Sequence, residues 1–310
     1  MRFLNKIIIF LLYFYTYPTF SSNNFDLMPI EVSKNVFVFI GDNNDVNDDN
    51  GGAISNTGFI IGENAILVID AGPSYLYASN VIDIINSYSN LPIKYLVVTH
   101  HHADHSFGIS KYLEINTEII MAEAEVERYI KYGNRSLRQL SNNIGEEWFF
   151  NTKITSFQYK EKEYPINLDL GTRNIIIELY EEGHSDGDLI VKDINSNTLF
   201  VGDLVFGQRA PTSPHANIYN WKNYLDEIIK KDWDILIPGH GDIIKNKEDV
   251  LQTKKWITFI DKTAKEASAN GISALEIFNK GLPNFIKGYK LAKETWYRDL
   301  PVLINKYEFD

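Results

Sequence analysis

The sequence predicts an α+β fold in which two mixed β-sheets are covered by helices. Short apolar runs typical of strands interleave with segments whose apolar residues recur at helical spacing. The early strand-like runs follow one another closely, which argues against one parallel sheet, because parallel neighbours need long crossover connections. From about residue 246 to the end the pattern is helical. The simplest division is one main domain with a helical C-terminal part.

Each predicted element rests on a local pattern. The predicted strands are, in chain order, NVFVFIG, NTGFIIG, AILVIDAG, IKYLVVTH, EIIMA, NIIIELY, DLIVKD, NTLFVGD and DILIPGHG. The predicted helices are YLYASNVIDIINSY, ISKYLEI, the charged segment 122–150 with a break at Gly133, and the amphipathic NWKNYLDEIIKK. Residues 42–52 are polar and rich in turn formers, so we expect a loop that could fold over a functional site.

Composition and the N-terminal segment limit the class of protein. The formal net charge of −11 argues against a nucleic-acid partner, and the absence of cysteine excludes disulfides and thiolate ligands. Residues 1–22 show a charged start, an apolar run and small polar residues, the pattern of a secretory signal cleaved near Ser21. We therefore expect an exported protein, periplasmic or secreted, without stable membrane insertion after cleavage. An uncleaved anchor and a buried N-terminal element remain alternatives. The expected division is a signal (1–22), a catalytic domain (23–245) and a helical segment packed on it (246–310).

The stretch VVTHHHADHSFG, residues 97–108, carries the strongest chemical signal. Four of the seven histidines of the chain fall between His100 and His105. On an extended loop, residues i and i+2 point the same way, so His100 and His102 can grip one metal ion while His101 faces away. If the chain then turns helical, Asp104 and His105 can point to a second position beside the first.

Further ligands must come from elsewhere in the chain, because a metal needs more donors than this loop offers to each position. His184 in EEGHSDG, Asp203 in LFVGD and His240 in ILIPGHG each follow an apolar strand and have a glycine beside them or close by. Asp70, at the end of AILVID, occupies a similar position, and we expect it to orient a ligand imidazole. His215 is interpreted as a loop residue.

The motifs THHHADH, GHS, GD and PGHG, in this order, resemble those of the metallo-β-lactamase superfamily of metallohydrolases over about residues 30–245. The resemblance implies a four-layer αβ/βα sandwich with metals at one edge between the two sheets. It also implies a division of ligands: the first metal takes His100, His102 and His184, the second takes Asp104, His105 and His240, and Asp203 bridges both. This set is similar to that of glyoxalase II. The leader, FGQRAPTS and the helical tail are similar to exported members associated with quinoprotein systems.

The resemblance implies two Zn²⁺ ions, and a nitrogen and oxygen ligand set also allows iron or manganese. The expected activity is dinuclear zinc-dependent hydrolysis of a small molecule, in which a metal-bridging hydroxide attacks the carbonyl of a thioester, ester, lactone or β-lactam. Asp104 is the candidate catalytic residue, because it could orient the hydroxide and move its proton.

Two other functions stay open. A persulfide dioxygenase of this superfamily would place one iron on His100, His184 and Asp203, and would be an oxidoreductase. The third hypothesis is a non-catalytic exported metal-binding protein. The sequence indicates neither the substrate nor the oligomeric state. The aromatic group Trp148, Phe149 and Phe150 could line an apolar wall or belong to the core.

Overall fold

The computed structural model describes residues 24–158 and 163–309. The segment interpreted as a secretory signal lies outside the described residues, so its cleavage and the export of the protein stay predictions. Within the described part of the chain, no helix combines the length and the apolarity needed to cross a membrane.

The first sheet has six strands that are neighbours in the order of the chain. They are β1 (Ile30–Ser33), β2 (Val36–Phe39), β3 (Thr57–Ile61), β4 (Ile66–Ile69), β5 (Ile93–Val97) and β6 (Glu118–Ile120). The first four pair antiparallel, with short turns from β1 to β2 and from β3 to β4 and a longer connection, residues 40–56, from β2 to β3; β4, β5 and β6 are parallel. The long connections that parallel pairing requires contain helices, over residues 75–88 between β4 and β5 and over residues 103–106 and 109–114 between β5 and β6.

The second sheet has five strands in the spatial order β12-β10-β9-β8-β7. They are β7 (Ile166–Asp169), β8 (Asn174–Glu181), β9 (Gly187–Asp193), β10 (Thr198–Phe200) and β12 (Ile235–Ile237). Only β10 and β12 pair in parallel. A two-stranded parallel ladder joins β11 (Phe206–Gly207) to β13 (His240–Gly241). The prediction of two mixed sheets is confirmed.

Eight α-helices lie in the described part of the chain. They are α1 (Tyr75–Tyr88), α2 (Ala103–Ser106), α3 (Ile109–Glu114), α4 (Glu123–Ile144), α5 (Ile218–Lys230), α6 (Lys247–Asn270), α7 (Ala274–Phe278) and α8 (Ala292–Phe309). Short 3₁₀ helices span Glu146–Phe149, Gly202–Leu204 and Asn284–Ile286. The predicted helical character beyond residue 246 is confirmed.

The alternation of side chains along the strands creates four layers. On β2, Val36 and Val38 enter the core between the two sheets, while Phe37 and Phe39 enter the core under α1 and the other helices of the first half. On β9, Leu189 faces the core between the sheets, and the next residue faces the helices of the second half. Because a strand buries both faces in this way, each sheet can carry helices on its outer side. The αβ/βα arrangement follows.

The C-terminal helices share a core with the second sheet. Trp256 of α6 and Trp296 of α8 are almost completely buried in the same cluster as Leu199 of β10 and Trp221 of α5. Burying a large aromatic side chain contributes roughly 1.5–3 kcal/mol, so these indoles fasten the C-terminal helices to the second sheet.

Two sequence predictions differ from the structure. Helix α4 runs through Gly133 without a break. The glycine allows close packing instead, since a Cβ at this position would lie 3.0 Å from the side chain of Ile154. Strands β1 and β7 were not predicted. Both are short edge strands with half-exposed residues, so they lack the continuous apolar run that marks an interior strand.

A buried arginine ties the two sheets together. Arg173, in the turn between β7 and β8, donates to both carboxylate oxygens of Asp193 at 3.1 and 2.6 Å. The same guanidinium donates to the carbonyls of Lys34 and Ile61 in the first sheet. Since one cation satisfies acceptors from both sheets, its removal would leave a buried carboxylate and two carbonyls without that donor.

We expect Arg173→Ala to lower the free energy of unfolding by about 3–5 kcal/mol, the usual cost of breaking a buried ion pair from one side. Chemical denaturation measures this change. Lys262→Ala is the control, because the ion pair of Lys262 with Glu266 is exposed and its loss should change stability by less than about 0.5 kcal/mol. Equal effects of the two substitutions would contradict the assigned role of Arg173.

Candidate metal centre

The histidine cluster lies on the loop that follows β5, an interior strand of the first sheet. β5 lies inside the first sheet between β4 and β6, and the chain leaves it at Val97. His102 then precedes α2, with its backbone carbonyl accepting from the amides of His105 and Ser106 at 3.1 and 3.0 Å. The expected turn into a helix after His102 is confirmed, and it separates the directions of His100 and His105.

The second sheet brings its candidates to the same edge. His184 lies in the turn between β8 and β9, Asp203 lies in the 3₁₀ turn after β10, and His240 begins β13 just beyond β12. A Cβ on Gly239 would lie 2.0 Å from Asp203 Oδ1, so only glycine fits between the two loops. Gly202 has a φ of +49° and would press a Cβ against Thr99. These glycines allow strand ends from both sheets to approach closely.

Four side chains form the first group of possible metal ligands. His100 Nε2 lies 2.8 Å from His102 Nδ1, and His102 Nδ1 lies 3.2 Å from His184 Nε2. Asp203 Oδ2 lies 3.4 Å from His184 Nε2 and 3.8 Å from His100 Nε2. All the possible ligand atoms of this group fall within 4.8 Å of one another.

The second group lies on the other side of Asp203. Asp104 Oδ2 lies 3.5 Å from His105 Nε2 and 3.3 Å from His240 Nε2. Asp203 Oδ1 lies 3.3 Å from each of the same two nitrogens. One oxygen of Asp203 therefore faces the first group and the other faces the second. The structure brings together all seven residues that the sequence singled out.

Two buried polar atoms of this centre lack hydrogen-bond partners among the described residues, as expected of atoms that bind a metal ion. His105 Nε2 and Asp203 Oδ1 are buried, yet neither makes a hydrogen bond to any residue that the structure describes. Buried polar atoms without partners are rare and call for an explanation. Imidazole nitrogen and carboxylate oxygen are the donors that Zn²⁺ accepts in protein sites, so the donor set fits a metal.

Outer partners orient two imidazoles. His240 Nδ1 donates to the Ile54 carbonyl at 2.8 Å, and His105 Nδ1 donates to Asp70 Oδ2 at the same distance. Because Nδ1 of each imidazole faces an acceptor, Nε2 is the atom of each ring that is left to bind a metal ion. Asp70 also accepts from the Thr99 amide at 2.7 Å. It lies outside both ligand groups and orients a candidate ligand, as the sequence analysis expected.

Burial and charge set the protonation of the first group. Burial and the neighbouring imidazoles hold the pKa of His100 and of His102 well below the usual value. Burial lowers the pKa of His184 to about 4. All three imidazoles are neutral at pH 7, so each has a lone pair for a metal ion.

Carboxylates dominate the second group. Burial lowers the pKa of His105, but the carboxylates of Asp104, Asp70 and Asp203 outweigh it and hold that pKa well above the usual value. Burial raises the pKa of Asp203, and the charges of His240 and His105 reverse that effect and hold it well below its ordinary range. The excess of carboxylates around His105 attracts positive charge, which a divalent cation would supply.

His101 faces away from both groups and contacts a residue that the sequence analysis missed. Glu125 is completely buried, and its Oε2 accepts from the His101 amide at 2.8 Å and lies 2.5 Å from His101 Nδ1. Its Oε1 accepts from the Gly187 amide at 3.0 Å. Glu125 thus joins the loop of His100 and His102 to the start of β9. The sequence did contain a signal for a buried glutamate here, because Glu125 lies four residues before Tyr129 and so shares its buried face of α4.

The polar loop 42–52 is fastened beside the centre. Trp148 donates from its indole nitrogen to the Asp48 carbonyl at 2.9 Å, and Asp45 lines a small cavity next to Asp104. Trp148 and Phe149 belong to the core, while Phe150 is exposed. The core interpretation of the first two aromatics is confirmed.

Two cavities open beside the centre, and His102 lines both. The larger, of about 700 Å³, lies along α4 and is also lined by His184 and by His215, a loop residue outside both ligand groups. The smaller, of about 200 Å³, lies against Asp104 and is also lined by Arg209. Arg209 is buried and donates to the Asp42 carbonyl at 3.1 Å. The sequence analysis did not single out this arginine, because an isolated arginine in a loop carries no pattern.

Comparison with known proteins agrees with this geometry. The family model described as the metallo-beta-lactamase superfamily matches residues 50–240. Among solved structures, the chain is similar to TMB-1, with 20% identity, 75% of this chain and 97% of that chain covered, and a TM-score of 0.56. A metallo-beta-lactamase from Pontibacter korlensis has 15% identity, 75% and 99% coverage, and a TM-score of 0.58. The DIM-1 metallo-beta-lactamase has 19% identity, 75% and 97% coverage, and a TM-score of 0.56. At these identities the similar structures show the fold.

We expect Asp70→Asn to lower the affinity for zinc about tenfold to a hundredfold, because it removes the charge that orients and polarises His105. Asparagine tolerates the left-handed backbone of this position, where φ is +61°, so the fold should persist. Competition with a chromogenic chelator measures the affinity. Asp83→Asn, on the exposed face of α1, is the control. An unchanged zinc affinity in Asp70→Asn would show that the His105 contact does not support metal binding.

Proposed function

Because this chain belongs to the metallo-β-lactamase superfamily, we propose that it is a dinuclear zinc-dependent hydrolase of a small carbonyl compound: an ester, thioester, lactone or β-lactam. The observation that carries the proposal is the Asp203 carboxylate, whose two oxygens face two separate groups of side chains. In this proposal His100, His102 and His184 hold one ion, Asp104, His105 and His240 hold the other, and Asp203 contacts both. The narrower similarity to glyoxalase II and to quinoprotein-associated members stays a prediction.

Two zinc ions bound here would supply a water of lowered pKa as the nucleophile, together with positive charge for the carbonyl oxygen. The chain itself needs no serine or cysteine nucleophile for such a reaction, and it contains no cysteine. A small molecule also suits the acidity of the protein better than a nucleic acid does.

Asp104 is the carboxylate that we propose as the catalytic residue. Its side chain is 16% exposed, whereas that of Asp203 is 5% exposed. It lines the smaller cavity, so a bound substrate can reach it. The Ser55 hydroxyl donates to the Asp104 carbonyl at 2.7 Å, which fixes the backbone behind the carboxylate. We propose that Asp104 accepts a proton through the carboxylate oxygen that does not face His105 and His240, and passes it towards the leaving group.

Arg209 balances the carboxylates and can hold the anionic product. Burial lowers its pKa, while the nearby charges of Asp104, Asp203 and Asp45 act in the opposite direction. Every substrate class proposed here yields a carboxylate on hydrolysis. A guanidinium beside Asp104 is suited to bind that carboxylate, together with Arg298, which lines the same cavity from α8.

Bound metal distinguishes the proposal from its alternatives. A single iron per chain with oxidation of a persulfide would support the dioxygenase hypothesis, and metal without turnover would support the non-catalytic metal binder. A single iron on His100, His184 and Asp203 would leave the second group without a metal. The presence of that second group, Asp104, His105 and His240, therefore favours two ions.

We expect about two zinc ions per purified chain by elemental analysis, and hydrolysis of at least one member of a panel comprising nitrocefin, a thioester and a lactone. Chelation should abolish the activity and added zinc should restore it. His102→Ala and Asp203→Ala should lose metal and activity together, because each removes a ligand.

His101→Ala is the matched control for these variants. It leaves Glu125 bonded to two backbone amides, so we expect it to retain its metal. Loss of zinc in His101→Ala equal to that in His102→Ala would contradict the assigned ligands.

A further inference from the structure

The larger cavity extends away from the metal centre along one face of α4. His102 and His184 stand at one end of it, and the helix supplies a wall. Arg128, Tyr132, Arg135 and Gln139 follow one another at intervals of four, three and four residues, so they share a face of the helix. The cavity is therefore a cleft that leads from the candidate ligands along α4.

The two arginines of this cleft differ in their partners. Arg128 forms an ion pair with Asp186, two residues after His184, so it lies near the centre and its charge is balanced. Arg135 lies about 10 Å farther along the helix axis, at 1.5 Å per residue. It forms no ion pair with any residue that the structure describes, and its side chain is exposed.

The charge of the cleft is opposite to that of the whole protein. The net charge of the chain is −11. Among the described residues that line the cleft, Asp186 is the one carboxylate and it is paired with Arg128. The unbalanced charge is the guanidinium of Arg135. An anion at the far end of the cleft would meet this charge beside the exposed ring of Tyr132.

Resting on the proposed hydrolase activity, we propose that the α4 cleft binds an acyl chain with a terminal carboxylate, and that Arg135 recognises this carboxylate. The cleft between the metal centre and Arg135, with the ring of Tyr132 in its wall, accommodates the body of the chain, while the planar guanidinium binds the carboxylate through two parallel hydrogen bonds. Because Arg135 lies about 10 Å beyond Arg128 along the helix axis, a short acyl group would not bring its carboxylate within reach of the Arg135 side chain. Arg135 is thus a specificity-determining residue.

Two thioesters of equal chain length test this inference. The probes are the octanoyl and the monosuberoyl thioesters of N-acetylcysteamine, which differ in the terminal carboxylate. We expect the zinc-loaded protein to prefer the suberoyl thioester, and Arg135→Gln to reduce kcat/KM for it about fivefold, through KM. The octanoyl thioester should be hydrolysed equally by both. Arg138→Gln is the control, because Arg138 is exposed on α4 outside the cleft lining.

A direct binding measurement separates failure of this inference from failure of the hydrolase proposal. Calorimetry with suberate should show about fivefold weaker binding to zinc-loaded Arg135→Gln than to the unmodified protein or Arg138→Gln. If neither thioester is hydrolysed while suberate discriminates the variants, the hydrolase proposal fails and the recognition site stands. If suberate binds all three proteins equally, or if Arg135→Gln leaves the preference for the suberoyl thioester unchanged, the inference is overturned.

Discussion

The Asp203 carboxylate, placed between two groups of buried imidazoles, is the contact on which the centre depends. Its two oxygens lie within 3.4 Å of His184 on one side and within 3.3 Å of His105 and His240 on the other. Such an arrangement needs loops from both sheets to meet at one edge. Gly239 makes the approach possible, since a Cβ there would occupy the position of the carboxylate. A buried charge of this kind is tolerable only where cationic partners surround it.

The surrounding structure limits the freedom of each side chain at this centre. The Ile54 carbonyl fixes His240, Asp70 fixes His105, and Glu125 fixes the loop that carries His100 and His102. These partners belong to different elements, so the positions of the candidate ligands depend on the packing of the whole first sheet against the second. A metal site that relies on preset geometry gains affinity and selectivity from such support.

The surroundings of the centre come partly from outside the segment that matches the family. Helix α8 lies beyond residue 240, yet Thr295 and Arg298 line the smaller cavity beside Asp104. The α4 cleft on the other side lies within the matched segment and has its own arginines. The fold is therefore a feature of the superfamily, while we propose that the walls of the two cavities select the substrate, because one fold and metal site can host many reactions.

The sequence by itself determined the kind of fold and the candidate ligands. Continuous apolar runs marked the interior strands, and histidines and aspartates at the ends of those runs marked the centre. Periodicity could not reveal the edge strands β1 and β7, whose residues are half-exposed. It also placed a break at Gly133, where the structure packs Ile154 against an unbroken helix.

Only the tertiary structure decided which oxygen of Asp203 faces which group, that Glu125 is buried beneath His101, and that Arg135 remains without an ion pair among the described residues. These properties depend on distances between residues far apart in the chain. A local pattern in the sequence records the spacing of side chains along one element, and it contains no information on how two elements approach each other.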